Sequence, residues 1–520
     1  MCKKEDYILS IDCGTQSIRA LIFDRRGNLI GKNKVEFEPY FSKYPGWAEQ
    51  DTEVYWKGLC DACMGLREEL GEQWHFIKGV VVTTLRDTHI NIDKNGKVLR
   101  PAILWLDQRQ TEKVDKFNKF EDIAFNTIGM KEALKISQSK SKAYWIKENQ
   151  PDIWEKTYKF ILLSAYFHYR LTGYIVDSVA NQIAHLPFDY KNKCWPKSDS
   201  SYRWKLFGVE RDKLPKLVNP GEIIGKITAE ASQLTGIEEG IPVFSGASDK
   251  GCETLGNGCL SPSIGSISFG TTATIQITSK KYIEPLKFMP AYPAATEGYY
   301  NPEVEIFRGY WMISWFKKEF SAREMIEAKE KNILPETLLN ERLNDVPPGS
   351  LGLILQPYWG PGLKIPEAKG AIIGFGDVHT RAHIYRAIIE GINYALLDGI
   401  EKIEKKSGEK IKKVAVCGGG SQSDTICQIT ADMLNRKVYK GMTYEISGLG
   451  ASMIGYVALG VYKSYEEAVE NMLTIKQEFE PDKDNAEIYS QLYTRVYKKI
   501  YPNLRKLYME IKDITGYPNY

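Results

Sequence analysis

YILSIDCGTQSIRALIF, residues 7–23, sets the reading of the chain. Residues 7–12 form an apolar strand that delivers the Asp12 carboxylate to its end. Gly14 and two hydroxyl residues then turn the chain, and residues 18–24 run back as a second strand. Residues 29–37 add a third strand after the turn residues Arg26, Gly27 and Asn28. Gly14 permits a tight turn and close approach of backbone to an anion. Thr15 and Ser17 offer hydroxyl donors to phosphate oxygens. Asp12 suits a magnesium ion held through water, because that ion keeps several waters and takes few carboxylates. The same spacing also fits a plain β-hairpin turn.

The pattern returns further along. Residues 266–278 read as a hairpin around Ser268, Phe269, Gly270, Thr271 and Thr272. The first half of the chain thus opens as the second does, a weak internal duplication with a boundary expected near 256–262. Two hydroxyl-rich glycine turns can cradle a triphosphate from two sides, or each can be an ordinary hairpin. Residues 414–417 form an apolar strand running into Gly418, Gly419 and Gly420, then Gln422 and a helix over 423–434. Such a turn lets backbone meet a flat or anionic ligand. It is not a dinucleotide fingerprint, and no P-loop motif occurs in the chain.

Three further segments carry polar groups at strand ends. Asp249 follows the strand 241–245, where a carboxylate among small residues suits a general base. Lys250 beside it offers positive charge to a transferring phosphoryl group. Arg86 and Asp87 follow the buried strand 79–84 and suit hydrogen bonds to polyol hydroxyls, as does Trp105 with its polar neighbours. A surface salt bridge and a core tryptophan are the simpler readings of these. The histidines show little: His379 and His383 are spaced as on a metal-binding helix but lack the glutamate of that motif, and His75, His89, His168 and His185 have no evident partner set. Helices are expected over 53–70, 134–148, 153–171 and 382–404.

Composition bounds the function class. The 520 residues are 43% hydrophobic and 26% charged, as in an ordinary globular chain. A net charge of +3 gives no push toward nucleic acid or an anionic membrane. Nine cysteines at irregular spacing read as reduced thiols, and Cys60 and Cys63 fall on an amphipathic helix. No signal-type apolar segment opens the chain, and the uncharged run 446–462 is too short and polar to span a membrane. Gly450, Ala451 and Gly455 there suit a helix packed closely in a core. A cytoplasmic protein is expected, with no nucleic-acid or membrane partner; the assembly state stays open, a homodimer included.

Taken together these segments resemble the FGGY carbohydrate kinases, the family of glycerol kinase, xylulokinase, ribulokinase and gluconate kinase. Ser139, Lys142, Trp145, Ile146 and Glu148 are similar to the first family signature, with Ala143 where a larger apolar residue is usual. Gly370, Ile372, Gly374, His383, Ile384, Ala387, Ile388, Ile389 and Glu390 are similar to the second, with Phe375 replacing an aliphatic. The resemblance implies an α/β fold of two actin-like, ribonuclease H-like domains, here 1–257 and 258–520, with a cleft between them. It implies ATP and magnesium, and transfer of a phosphoryl group to a hydroxyl of a ketose such as a pentulose, or of a glycerol-like polyol. Asp249 matches the family's catalytic base, and Arg86 and Asp87 match an Arg-Glu pair that glycerol kinase uses on its substrate, one methylene shorter at Asp87. Trp105 and Lys250 fall on the same sugar side. Asp12, Gly14, Thr15, Gln16, Ser17 and Arg19 fall on the first phosphate turn, Gly270, Thr271 and Thr272 on the second, and Gly418, Gly419, Gly420 and Gln422 on an adenosine loop. Asp12 and Asp249 are the carboxylates expected toward magnesium. A non-catalytic, nucleotide-gated sugar sensor on the same fold is the alternative, and a chaperone- or actin-like ATPase a third reading.

Overall fold

Two six-stranded sheets of one topology organise the protein, a computed structural model describing residues 6–360, 365 and 367–517. The first sheet comprises β1 (Tyr7–Cys13), β2 (Ser17–Phe23), β3 (Leu29–Glu36), β4 (Ile77–Thr84), β5 (Ile223–Lys226) and β6 (Pro242–Phe244), in the order β3-β2-β1-β4-β6-β5. The second comprises β7 (Ile264–Phe269), β8 (Ala273–Gln276), β9 (Glu303–Ile306), β10 (Lys413–Gly418), β11 (Lys437–Gly441) and β12 (Ile475–Phe479), in the order β9-β8-β7-β10-β11-β12. In each, a three-stranded antiparallel meander joins two parallel strands and a last antiparallel one. The duplication that is faint in sequence is complete in topology.

The strands read as buried runs because helices cover the sheets. Every residue of β1 is buried. Helix α1 (Thr52–Leu70), capped by Asp51 accepting from the Glu53 amide, packs on β2 and β3. Helix α2 (Leu163–Thr172) packs against β4. In the second lobe α4 (Arg381–Ser407) and α5 (Asp424–Leu434) do the same work. Two more helices lie between the sheets: α3 (Asp249–Gly256), and α6 (Ile446–Ala458), which crosses α3 and also packs on β1 and β4. A sequence cut after residue 257 falls just past α3, while α6, late in the chain, completes the core of the first lobe with Ile8, Leu21 and Phe23.

Two expected helices differ. The segment 134–148 is broken into Lys131–Ser139 and Lys142–Asn149, because the Ser141 hydroxyl accepts from the Tyr144 amide and starts a new helix. The segment 153–171 contains the strand Lys159–Leu162, which pairs antiparallel with His89–Ile92. Pairing with an existing strand outweighs the helical periodicity of its flanks. That small sheet also contains Ala102–Ile103, and its register places His89 opposite Ile103.

Parallel strands all deliver their carboxyl ends to one edge of each sheet. In the first lobe these ends carry Asp12, Arg86 and Asp249; in the second, Gly270 and Gly419 follow the paired ends Phe269 and Gly418. No helix among the described residues is long and apolar enough to cross a membrane.

Candidate active site

The first turn closes through the Gly14 amide, which donates to the Ser17 carbonyl at 3.0 Å. Gln16 is exposed at its tip. Arg19 Nη1 donates to Asp12 Oδ2 at 3.0 Å, and its Nε lies 3.6 Å from Glu445 Oε2 at the start of α6. Burial pushes the Asp12 carboxyl up to about 6; Arg19 pulls it down and the negative charges of Asp249 and Glu445 add to the rise. Trp105 Nε1 donates to the Thr15 hydroxyl at 3.3 Å, so the expected sugar-side aromatic touches the first turn directly.

Asp249 is the first residue of α3, whose cap is Ser248, and it keeps 28% of its side chain exposed. One carboxylate oxygen accepts from the Lys250 amide at 2.7 Å. Burial raises its pKa, while Lys250 and Arg86 pull it down. Arg86 Nε stands 4.0 Å from Asp249 Oδ1. The same guanidinium crosses to the other lobe: Nη1 donates to both Glu303 oxygens, at 2.9 and 3.2 Å, and the group lies 5.0 Å from the centre of the Tyr292 ring. Lys250 turns the other way. Its ammonium donates to Glu253 at 2.9 Å and to the Ser268 hydroxyl at 2.7 Å, directly beneath Gly270. It therefore braces the second turn from below.

That second turn is held from above by a helix start. The amides of Tyr310 and Trp311 donate to the carbonyls of Gly270 and Thr271 at 3.1 and 3.2 Å, while the Thr272 hydroxyl donates to the Phe307 carbonyl at 3.3 Å. The third turn rests on it, since Gly418 pairs with Phe269. A side chain at Gly418 would meet the Phe269 backbone at 2.9 Å and one at Gly420 the Tyr310 ring at 2.3 Å, whereas Gly419 is exposed and a Cβ there would only touch the Phe269 carbonyl oxygen at 4.0 Å. Gln422 is exposed at the end of this turn. Two sets of contacts result: Trp105 with Thr15 on the first turn, and Asp249, Lys250, Ser268, Gly270, Phe269 and Gly418 through the second and third turns, with Asp249 near enough to Asp12 to raise its carboxyl.

Asp87 is positioned unlike its expectation as a free hydroxyl acceptor. Its Oδ1 accepts from His89 Nε2 at 2.8 Å and from the His185 amide at 2.9 Å, and its Oδ2 accepts from His185 Nδ1 at 2.7 Å. Burial alone would raise this carboxyl, but the charge and hydrogen bonds of His185 and His89 hold it well below the usual carboxylate range. The two histidines without an evident partner in sequence thus share one, 98 residues from His185 along the chain. Glu303 and Glu305 also escape the sequence reading, because PEVEIF is an ordinary alternating strand until another lobe is placed against it. The His379–His383 pair makes a ring contact at 5.4 Å, and no group of three or more His, Cys, Asp or Glu side chains among the described residues is arranged to hold a metal ion.

Asp249 lies near enough for its charge to add to the rise at Asp12, and two such carboxylates form an oxygen donor set suited to magnesium, which takes few protein carboxylates and keeps its waters.

Family models match nearly all of the first lobe and most of the second. The FGGY family of carbohydrate kinases matches through its N-terminal domain over residues 7–256 and through its C-terminal domain over residues 265–459. A glycerol kinase of Thermococcus gammatolerans is 31% identical over 94% of this chain and 96% of its own. A xylulose kinase of Lactococcus lactis is 28% identical over 94% of this chain and 95% of its own. Among solved structures, a xylulose kinase from Rhodospirillum rubrum superposes with a TM-score of 0.82 at 23% identity, covering 97% of this chain and all of that one.

Proposed function

Since this chain belongs to the FGGY family of carbohydrate kinases, we propose that it transfers the γ-phosphoryl group of ATP to a hydroxyl of a small ketose or polyol, with Asp249 as the general base. The relatives act on xylulose and on glycerol by their names, which supports an acceptor of three to five carbons. The observation that carries the reading is the position of Asp249, partly open to the cleft, 4.0 Å from Arg86 on one side and adjacent to the Lys250 that braces the second glycine turn on the other.

In this reading the acceptor hydroxyl lies against Asp249, which takes its proton as the oxygen attacks the γ-phosphorus and the bond to the ADP oxygen breaks. Arg86, anchored by Glu303, orients the acceptor and keeps Asp249 ionised by its charge. The turns 14–17 and 270–272 present backbone amides and the Thr15, Thr271 and Thr272 hydroxyls to the phosphates. Gly418, Gly419 and Gly420 offer a surface without side chains for the adenosine, with Gln422 exposed at its end. Asp12 and Asp249 would hold magnesium through its waters, and the ion would offset charge on the β- and γ-phosphates. In such transfers positioning and charge stabilisation supply most of the catalysis.

The test is ADP release with glycerol, erythritol, D-xylulose, D-ribulose, D-fructose and D-gluconate as acceptors. Release that rises only when an acceptor is added is expected, and release indifferent to every acceptor would instead describe an ATPase. Asp249→Asn should lower turnover roughly 10²-fold or more with ATP binding retained. Near-normal turnover in that variant removes Asp249 from the mechanism.

A further inference from the structure

The groups around Asp87 point to a different residue as the one that meets the acceptor. The Asp87 carboxylate already accepts three hydrogen bonds, from His89 Nε2 and from the amide and Nδ1 of His185, all within 2.9 Å. Its backbone is held at φ +50°, a left-handed conformation uncommon outside glycine. Strain of this kind persists where the surroundings over-determine it, and it is frequent at binding sites. His89, the second clamp, is fully buried and stacked on Phe160 at 4.9 Å, so Asp87 is fixed from within. His185 is the outward member. Its side chain is 31% exposed, and with Nδ1 spent on Asp87 its Nε2 has no hydrogen-bond partner among the described residues.

The location is right for recognition. Asp87 lies two residues before His89 and Trp105 two residues after Ile103, the pair that joins these two strands, and Trp105 touches Thr15 of the first turn. Arg86, next in the chain, reaches toward Asp249 and lies over Tyr292, which packs at 5.6 Å on Tyr190. The Phe207 ring closes the side of His185 at 6.1 Å. The imidazole thus packs against an aromatic ring, with its carboxylate partner Asp87 next in the chain to the Arg86 that reaches Asp249, and that carboxylate orients it in the way a second partner fixes the ring and tautomer of a working histidine. We infer that His185 is a substrate-positioning residue that offers its Nε2 to a hydroxyl of the polyol or ketose, and that Asp87 acts through it. This deepens the kinase reading and rests on it.

Two substitutions separate the roles of the ring nitrogens. The amide of His185→Asn reaches the position of Nδ1 and keeps a partner for Asp87, but has nothing at Nε2; that of His185→Gln reaches the position of Nε2. Both are assayed with whichever acceptor of the panel above gives the unaltered enzyme its highest ADP release. His185→Asn should raise the acceptor KM about tenfold or more with the ATP KM within about twofold, as loss of a hydrogen bond to a buried polar partner does. His185→Gln should recover most of that loss. An acceptor KM unchanged in His185→Asn, or raised there and not recovered in His185→Gln, overturns the assignment. No acceptor-dependent ADP release from the unaltered enzyme would overturn the kinase reading itself, and this proposal with it.

Discussion

Glu305 faces Thr274 across the β8–β9 register and stands two residues from Glu303 on the same face of the sheet. Burial pushes its carboxyl up to about 7; Glu303 adds to the rise, and Arg86 and Lys250 offset only part of it. The unfolded chain releases this proton near the ordinary value of 4.5, so between pH 4.5 and 7 the folded state binds more protons than the unfolded one. Stability contributed by this site therefore falls as pH rises through that window, and the loss is complete above it. Glu305→Gln removes the penalty. At pH 8 it should be more stable than the unaltered protein by roughly 1–3 kcal/mol, with no difference at pH 4.5, measured by urea midpoints at the two values. An equal midpoint at pH 8 would show that the carboxylate is solvated and not penalised. At this scale the two glycine turns were legible in sequence as strand–turn–strand units, because a glycine and hydroxyl residues between two apolar runs are turn chemistry. Glu303, Glu305 and His185 were not, since their meaning lies wholly in partners that are distant along the chain.

Helices α3 and α6 meet through glycines rather than through interdigitating side chains. A Cβ on Gly450 would lie 2.0 Å from the Cys252 carbonyl oxygen, and one on Gly256 2.3 Å from that of Ile446. On the sheet side of α6, a Cβ on Gly448 would lie 2.3 Å from Leu21 and one on Gly455 2.8 Å from Ile8. Backbone cannot yield as a flexible side chain does, so Gly450→Ala should destabilise by about 1–3 kcal/mol or more despite alanine's better helix propensity. Thermal unfolding checks it, with Ser452→Ala as the comparison. That variant only removes the 2.8 Å bond between the Ser10 and Ser452 hydroxyls, at about 1 kcal/mol. A Gly450→Ala protein as stable as Ser452→Ala would mean that the helices can part without loss. The small-residue pattern of α6 announced a closely packed helix, and the structure has one. What it packs against was hidden, because a helix that follows the second lobe in sequence but covers the sheet of the first leaves no mark in local periodicity. The strand Lys159–Leu162 was lost to the same limit: four apolar residues between two helices acquire a strand's conformation only from the partner His89–Ile92.

Across the whole molecule the two lobes are joined in two unlike ways. The α3–α6 crossing is dry and built from backbone contact, whereas at the cleft Arg86 reaches over from the first lobe to Glu303 and Tyr292 of the second. Glu303 is 4% exposed and also accepts from Gln276, which accepts in turn from Thr254 of α3, so the ion pair is tied back to the crossing. Arg86 is 17% exposed and is the same group that steadies Asp249. One guanidinium therefore touches both the inter-lobe ion pair and the carboxylate proposed as the base, and under the proposed mechanism it would link lobe closure to orientation of the acceptor. Glu303→Gln leaves Arg86 charged without its carboxylate. Breaking a well-buried pair from one side costs about 3–5 kcal/mol, and the water that still reaches Arg86 brings the expected loss to roughly 2–4 kcal/mol. The radius of gyration of the ligand-free protein, read by small-angle scattering, should rise as the lobes part, and ATP with an acceptor should restore it. The acceptor KM should rise more than the ATP KM, because the nucleotide turns are held by Lys250 and by the Tyr310–Trp311 amides, which this variant leaves in place. A variant that loses stability without any change in scattering or in acceptor KM would assign Glu303 to the core alone and leave the lobes tied only at α3 and α6.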